Sequence, residues 1–219
     1  SRISVNDLRK DGAADCRRRK RSREDFGDME RVKRLKEKME SGKLVKGFFL
    51  TMADPMVSEI AGFAGYDYVW IDAEHGPLGR QEILHHIMAA QGSGCAAFVR
   101  VPGIDRTMLK AILDMGPDGI IFPFTNSGEI AKEAVRACSY PDFGGVRGQG
   151  PIRAIRYGLA DEGKYIEGAY EKVLKIAQSK PWRDMKIWMK SWKWTALIRC
   201  LSELRICPAP FGRETTKRI

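Results

Sequence analysis

The sequence predicts an α/β protein organised as part of a (β/α)8 barrel, and three observations carry that expectation. First, short apolar runs alternate with helix-length amphipathic stretches from Val45 to Gln178, which implies parallel βαβ units. Second, the apolar run Tyr68-Val69-Trp70-Ile71 stops abruptly at Asp72, Glu74 and His75 and turns at Gly76-Pro77. Ionisable groups at a strand's carboxyl end occupy the place where parallel α/β proteins build active sites. The bland alternative is a solvated βα loop whose Asp caps the next helix. Third, the alternation gives about five strands and then ends, whereas a complete barrel needs eight units and about 250 residues.

The elements follow in order. Met29 opens a helical pattern (Val32, Leu35, Met39) that stops at Ser41-Gly42. A strand over 45–51 precedes a helix that Asp54-Pro55 starts, with Met56, Val57, Ile60 and Phe63 on its apolar side. Residues 66–72 supply the second strand, 81–90 a helix, and 96–101 a third strand with Arg100 near its end. A helix over 105–115 closes at Gly116. A fourth strand spans 119–124 and a helix 127–138. A glycine-rich loop then leads to a fifth strand over 172–178.

Composition narrows the function classes. The chain of 219 residues is long enough for one sizeable core. No apolar run reaches bilayer length and no signal peptide opens the chain, so a soluble, cytoplasmic protein without a membrane partner is expected. The five cysteines form no C-x-x-C pair and no His/Cys cluster, which fits a reducing compartment and argues against structural zinc.

The net charge of +10 belongs to the ends. Residues 1–28 carry 9 Lys/Arg against 6 Asp/Glu, and 179–219 carry 10 against 3, while the middle is balanced. The sequence therefore divides into a basic leader (1–28), a neutral barrel segment (29–178) and a basic, Trp-rich tail (179–219). Residues 1–28 read as translated leader ahead of a natural start at Met29, as a disordered arm, or as a basic patch around Arg17–Arg21. Arg-rich and Trp/Lys-rich ends also admit a different function, a non-catalytic fragment that binds nucleic acid non-specifically. Nucleic acid is the less expected partner, since clustered charge lacks a fold motif here.

Four segments stand in a familiar order and spacing: W-I-D-A-E-H-G-P-L (70–78), F-V-R-V-P (98–102), L-D-M-G-P-D-G-I-I-F-P (113–123) and Y-P-D-F-G-G-V-R-G-Q-G (140–150). Over about 29–178 the sequence resembles the HpcH/HpaI class II pyruvate aldolases, which include 4-hydroxy-2-oxoheptanedioate and 2-dehydro-3-deoxyglucarate aldolases. The resemblance implies a TIM barrel of the phosphoenolpyruvate/pyruvate type and a lyase that cleaves 4-hydroxy-2-oxo acids to pyruvate and an aldehyde. It implies a divalent metal (Mg, Mn or Co), a small-molecule 2-oxo acid substrate and a homo-oligomer.

On the matching motifs, His75 would be the general acid–base group, Asp72 the partner that fixes its tautomer, and Arg100 the guanidinium facing the developing enolate. Gln178 would lie near the metal and bind substrate. His85 and His86, mid-helix, match no motif and read as surface or packing residues, and Arg147 as structural. The loop 144–150 offers backbone N–H groups to a carboxylate or phosphate only as a weak signal.

The resemblance breaks after Gln178. The family continues with a metal-ligating glutamate and later an aspartate in G-P-x-D-L-S; here Lys180 stands at the glutamate's place and G-P-x-D-L-S is absent. No metal ligand is therefore assigned, and metal binding and activity are expected to fail. Codons offer a reason. Met and Trp each have one codon, so a one-base shift forces Glu across Met185-Lys186 and Trp192-Lys193, and Asp across Trp188-Met189 and Trp194-Thr195. With permitted choices elsewhere, the shifted text regains a family-like continuation. A frameshifted tail after Gln178 is expected, with a helix over 182–204 at most and the edges of strands one and five left open.

Overall fold

The computed structural model describes residues 27–178 and the two strands 196–199 and 203–206. The first helix, α1 (Gly27–Glu40), leads into β1 (Gly47–Leu50), α2 (Met56–Phe63), β2 (Tyr68–Asp72), α3 (Arg80–Gly92), β3 (Ala96–Arg100), α4 (Arg106–Asp114), β4 (Gly119–Phe122) and α5 (Gly128–Cys138). Short 3-10 turns at Pro141–Phe143 and Arg153–Gly158 precede α6 (Glu162–Lys172) and β5 (Leu174–Gln178). Strands β1 to β5 pair in parallel in sequence order. The five-strand parallel expectation is met, with each boundary within a few residues.

Helix starts follow their capping residues. Asp105 accepts from the Met108 N–H at 2.7 Å, Ser127 from Ile130 at 3.3 Å and Asp161 from Lys164 at 3.0 Å. Each satisfies a donor that the first helical turn leaves unpaired.

Strands β2 to β5 are buried on both faces, as parallel sheets require, while β1 at the edge buries only Leu50 fully. One face packs on the helices through Val69, Ile71, Ala97, Val99, Ile120 and Phe122. The other lines the concave interior of this open, barrel-like sheet in layers. Tyr68, Ala96 and Leu174 meet Val32, Leu35 and Met39 of α1, which plugs the amino-terminal end; Trp70, Phe98, Ile121 and Ile176 lie above them. The Phe98 ring fills the space over β4, where a Cβ on Gly119 would come within 2.9 Å of it. Asp72, Arg100 and Gln178 form the next layer, at the carboxyl ends.

Three expectations change. Met56, Ile60 and Phe63 of α2 point outward at 61–75% exposure, and the helix instead seats Ser58 and Ala61 on the core. Small residues let α2 approach α3 closely, and that packing overrides the apolar count. Helix α6 was not expected from a sequence that reads as glycine-rich loop. The helix expected over 182–204 gives way, where residues are described, to β6 (Ala196–Arg199) and β7 (Glu203–Ile206). These form an antiparallel hairpin whose β7 pairs antiparallel with β5, so the β5 edge is covered rather than open. The rest of the tail and residues 1–26 lie outside the described residues.

Candidate active site

Strand register makes the site. Asp72 ends β2 and Arg100 ends β3, and the two are direct partners in the parallel ladder, so both side chains project into the barrel at one level. The guanidinium grips the carboxylate as a fork: Nε donates to Oδ1 at 2.8 Å and Nη2 to Oδ2 at 2.7 Å. Asp72 is fully buried and the Arg100 side chain 10% exposed. Phe49 and Trp70 flank the guanidinium, with ring centroids 5.6 and 5.3 Å from its Cζ.

Asp72 also organises the turn that follows. Its Oδ1 accepts the backbone N–H of Glu74 at 3.1 Å and of His75 at 3.3 Å, an Asx-type turn that re-aims the chain. Burial pushes the Asp72 carboxyl up, but Arg100 and the two N–H donors outweigh that and hold it below its ordinary value. Gly76 closes the turn against the Asp72 carbonyl oxygen, 2.4 Å from where a Cβ would sit. Gly76→Ala is expected to displace the turn at a cost of about 1–3 kcal/mol, read as a lower urea midpoint together with shifted Glu74 and His75 amide resonances.

The expected partnership of Asp72 with the His75 ring is replaced by another. Both Asp72 oxygens are taken by a fixed positive charge and backbone donors, so the carboxylate meets His75 only through its main chain. The imidazole, 72% exposed, faces Glu74 instead, with Nε2 3.7 Å from Oε2. The same Glu74 oxygen lies 3.2 Å from the Arg100 Nε, and the side chain is only 9% exposed. Glu74 thus bridges the buried guanidinium and the open imidazole, a role the sequence reading left unassigned. Gln178 meets the group from β5, its Oε1 accepting from Arg100 Nη1 at 3.5 Å. All four expected residues therefore lie at one end of the sheet, three in a single buried contact and His75 at its rim.

Chemically, the cluster offers an exposed imidazole linked through Glu74 to a pre-aimed, permanent cation. With Asp72 and Glu74 ionised, the two carboxylates exceed the guanidinium by one formal negative charge.

This constellation sits on a barrel whose family is now decided, because residues 46–177 match the model of HpcH/HpaI aldolase/citrate lyase. The chain belongs to that family. It is 33% identical over 150 residues to a 4-hydroxy-2-oxovalerate aldolase of Rhodococcus jostii, covering 68% of this chain and 57% of the relative. It is 37% identical over 148 residues to a 4-hydroxy-2-oxovalerate aldolase of Novosphingobium aromaticivorans, covering 67% and 55%. The crystal structure of an HpcH/HpaI aldolase from Desulfitobacterium hafniense superposes with a TM-score of 0.63 at 30% identity, covering 70% of this chain and 59% of that one. The chain therefore spans a little over half the length of these relatives.

An HpcH/HpaI aldolase is a carbon–carbon lyase by family, and the family is generally dependent on a divalent metal. The described residues do not fit one. They hold no group of three or more His, Cys, Asp or Glu side chains able to share an ion. The Asp72 oxygens are already committed to Arg100 and N–H donors, and Glu74 leans on the same guanidinium. A hard divalent cation takes oxygen ligands, and among the described residues the two carboxylates of the site already face the guanidinium.

Proposed function

We propose that the chain carries the acid–base and enolate-stabilising part of a pyruvate-type aldolase site for 4-hydroxy-2-oxo acids, and that it does not turn over as it stands. In the reaction, the His75 imidazole takes the proton of the C4 hydroxyl. The C3–C4 bond breaks, the aldehyde departs, and the electron pair moves into the C2 carbonyl to give the enolate of pyruvate. Arg100 faces that oxygen with donors that Asp72 holds in place and a charge that cannot be lost. A proton delivered to C3 completes pyruvate. Exposure suits His75 to exchanging protons with water, and the Asx turn sets its backbone close to the ion pair.

The observation that carries the reading is the buried fork between Asp72 and Arg100 at the carboxyl ends of adjacent parallel strands. The second half, inactivity, is supported by the described residues holding no group of three or more side chains able to share an ion. The chain incubated with Mg or Mn and a 4-hydroxy-2-oxo acid is expected to release no pyruvate above the blank in a lactate dehydrogenase-coupled assay. Robust release would overturn the inactivity. Weak pyruvate binding, seen by ligand-detected NMR and lost in Arg100→Lys, supports the site assignment, and binding unchanged in that variant rejects it.

The tail supplies the reason for inactivity in this reading. Residues 179–219 are proposed to be out-of-frame text after the Gln178 codon, which would put the family's remaining carboxylate ligands in the shifted frame. Sequencing the encoding DNA tests it directly: one intact frame with no lost base ends the idea.

A further inference from the structure

We infer that His86 is a positioning residue for this site: a buried, neutral imidazole that ties the loop after β1 to helices α2 and α3, and so fixes the wall beside Arg100. The inference rests on the site assignment above only for its consequence, since the tie itself is a matter of hydrogen bonding. His86 lies in the middle of α3 with no exposed surface. Its Nε2 is 2.8 Å from the Met52 carbonyl oxygen and its Nδ1 is 2.9 Å from the hydroxyl of Ser58, itself fully buried on α2.

The proton positions follow without choice. A carbonyl oxygen can only accept, so Nε2 carries the hydrogen and donates to Met52; Nδ1 is then the acceptor for the Ser58 hydroxyl. Both ring nitrogens are satisfied in the neutral form, and one side chain of α3 holds both the Met52 carbonyl of the loop and Ser58 of α2.

The location gives the tie its meaning. Met52 lies two residues past β1, whose Leu50 is the ladder partner of Ile71, the residue before Asp72. Phe49, on the same strand, packs its ring against Trp70 at 5.6 Å and against the Arg100 guanidinium. Beyond Leu50, the segment from Thr51 to Pro55 is exposed or half-buried, and among the described contacts the Asp54 carboxylate and carbonyl only start α2. The Met52 carbonyl bond to His86 is the interior anchor of that stretch. Losing it would let the β1 end drift from the ion pair while leaving Asp72 and Arg100 folded.

Burial lowers the His86 pKa from its ordinary value of 6.5; the Met52 bond and the nearby Asp54 and Glu82 oppose that shift, and His85 adds to it. The sign is then fixed. The unfolded chain binds this proton more readily, so the His86 contribution to stability is complete above about pH 6.5 and is lost as pH falls toward the depressed folded value.

The experiment uses the full chain and three variants. His86→Asn keeps a polar group near Nδ1 but cannot reach Met52; His86→Gln places an amide N–H near Nε2 and can; Ser58→Ala removes only the other bond. The wild-type imidazole is expected to show the Nε2–H tautomer in its nitrogen shifts at pH 7. Backbone order parameters over 51–54 are expected to stay at about 0.85 in wild type and His86→Gln and to fall below about 0.6 in His86→Asn. The Arg100 Nε–H resonance should move in His86→Asn and return in His86→Gln. A Nδ1–H tautomer in wild type overturns the inference even if no variant folds. Equal behaviour of the Asn and Gln variants also overturns it, because only the Gln amide can reach the Met52 carbonyl. Pyruvate binding lost in wild type while these signatures hold would reject the site assignment and not the tie.

Discussion

Arg100→Met is expected to lower the unfolding free energy by about 3–5 kcal/mol, the cost of leaving buried charge without its partner. Methionine matches much of the arginine stem, so the loss isolates charge from volume. Two carboxylates, Asp72 with no exposed surface and Glu74 with 9%, would then face each other without a cation. Against a typical domain stability of about 5–15 kcal/mol, that is enough to unfold a large share of the molecules. Adding Asp72→Asn is expected to recover much of the loss, and urea titrations of the single and double variants give the coupling directly. Arg100→Lys should fall between them, since an ammonium keeps the charge and loses the fork. The same contact predicts an acid response. Asp72 sits below its ordinary value of 3.8, so its stabilisation is whole above that pH and disappears as pH falls through the depressed value. A loss under about 1 kcal/mol in Arg100→Met would mean the pair behaves as a solvated surface bridge.

Asp118→Ala is expected to cost a similar amount, about 3–5 kcal/mol, at the opposite end of the barrel. This carboxylate, 4% exposed just before β4, accepts from Arg31 Nε and Nη2 at 3.2–3.3 Å, from Gln91 at 2.9 Å and from the Ala97 N–H at 2.9 Å. It therefore joins the plugging helix α1 to α3, β3 and β4 at one point. Removing it takes that carboxylate from a buried guanidinium and two further donors, and the plug loses its polar latch. Limited proteolysis between α1 and β1 should accelerate in step with the lowered urea midpoint. Unchanged cleavage there, with only the midpoint reduced, would show that apolar packing of Val32, Leu35 and Met39 alone seats the helix.

Much of the scaffold was legible because the strands announce themselves chemically. Apolar runs bounded by Asp72, Arg100 and Gln178 mark both the strand and its carboxyl end, and parallel pairing in chain order then brings those ends together. What stayed hidden depends on fit. Helix α6 contains Gly163 and Gly168 and buries only Ala169, so its sequence lacks the apolar stripe that reveals a helix. The face of α2 was misread because Ser58 and Ala61 are too small to count as hydrophobic yet suit close packing. Glu74 stood in view between two expected residues, but its bridge to Arg100 follows from the turn that Asp72 builds. His86 and Ser58 are 28 residues apart, and Arg31 and Asp118 are 87, so neither contact leaves a local signal.

The hairpin on β5 has a consequence for polarity. It reverses direction at β7 and again at β6, and two reversals cancel, so the outer rim of the sheet at β6 points the same way as the rim at β1. Direction alone would not forbid the two rims from being bridged into a ring. What the reversal forfeits is reach: residues 200–202 are all that separate β6 from β7, where a parallel neighbour would have sent out a full excursion able to deliver acidic side chains over the guanidinium.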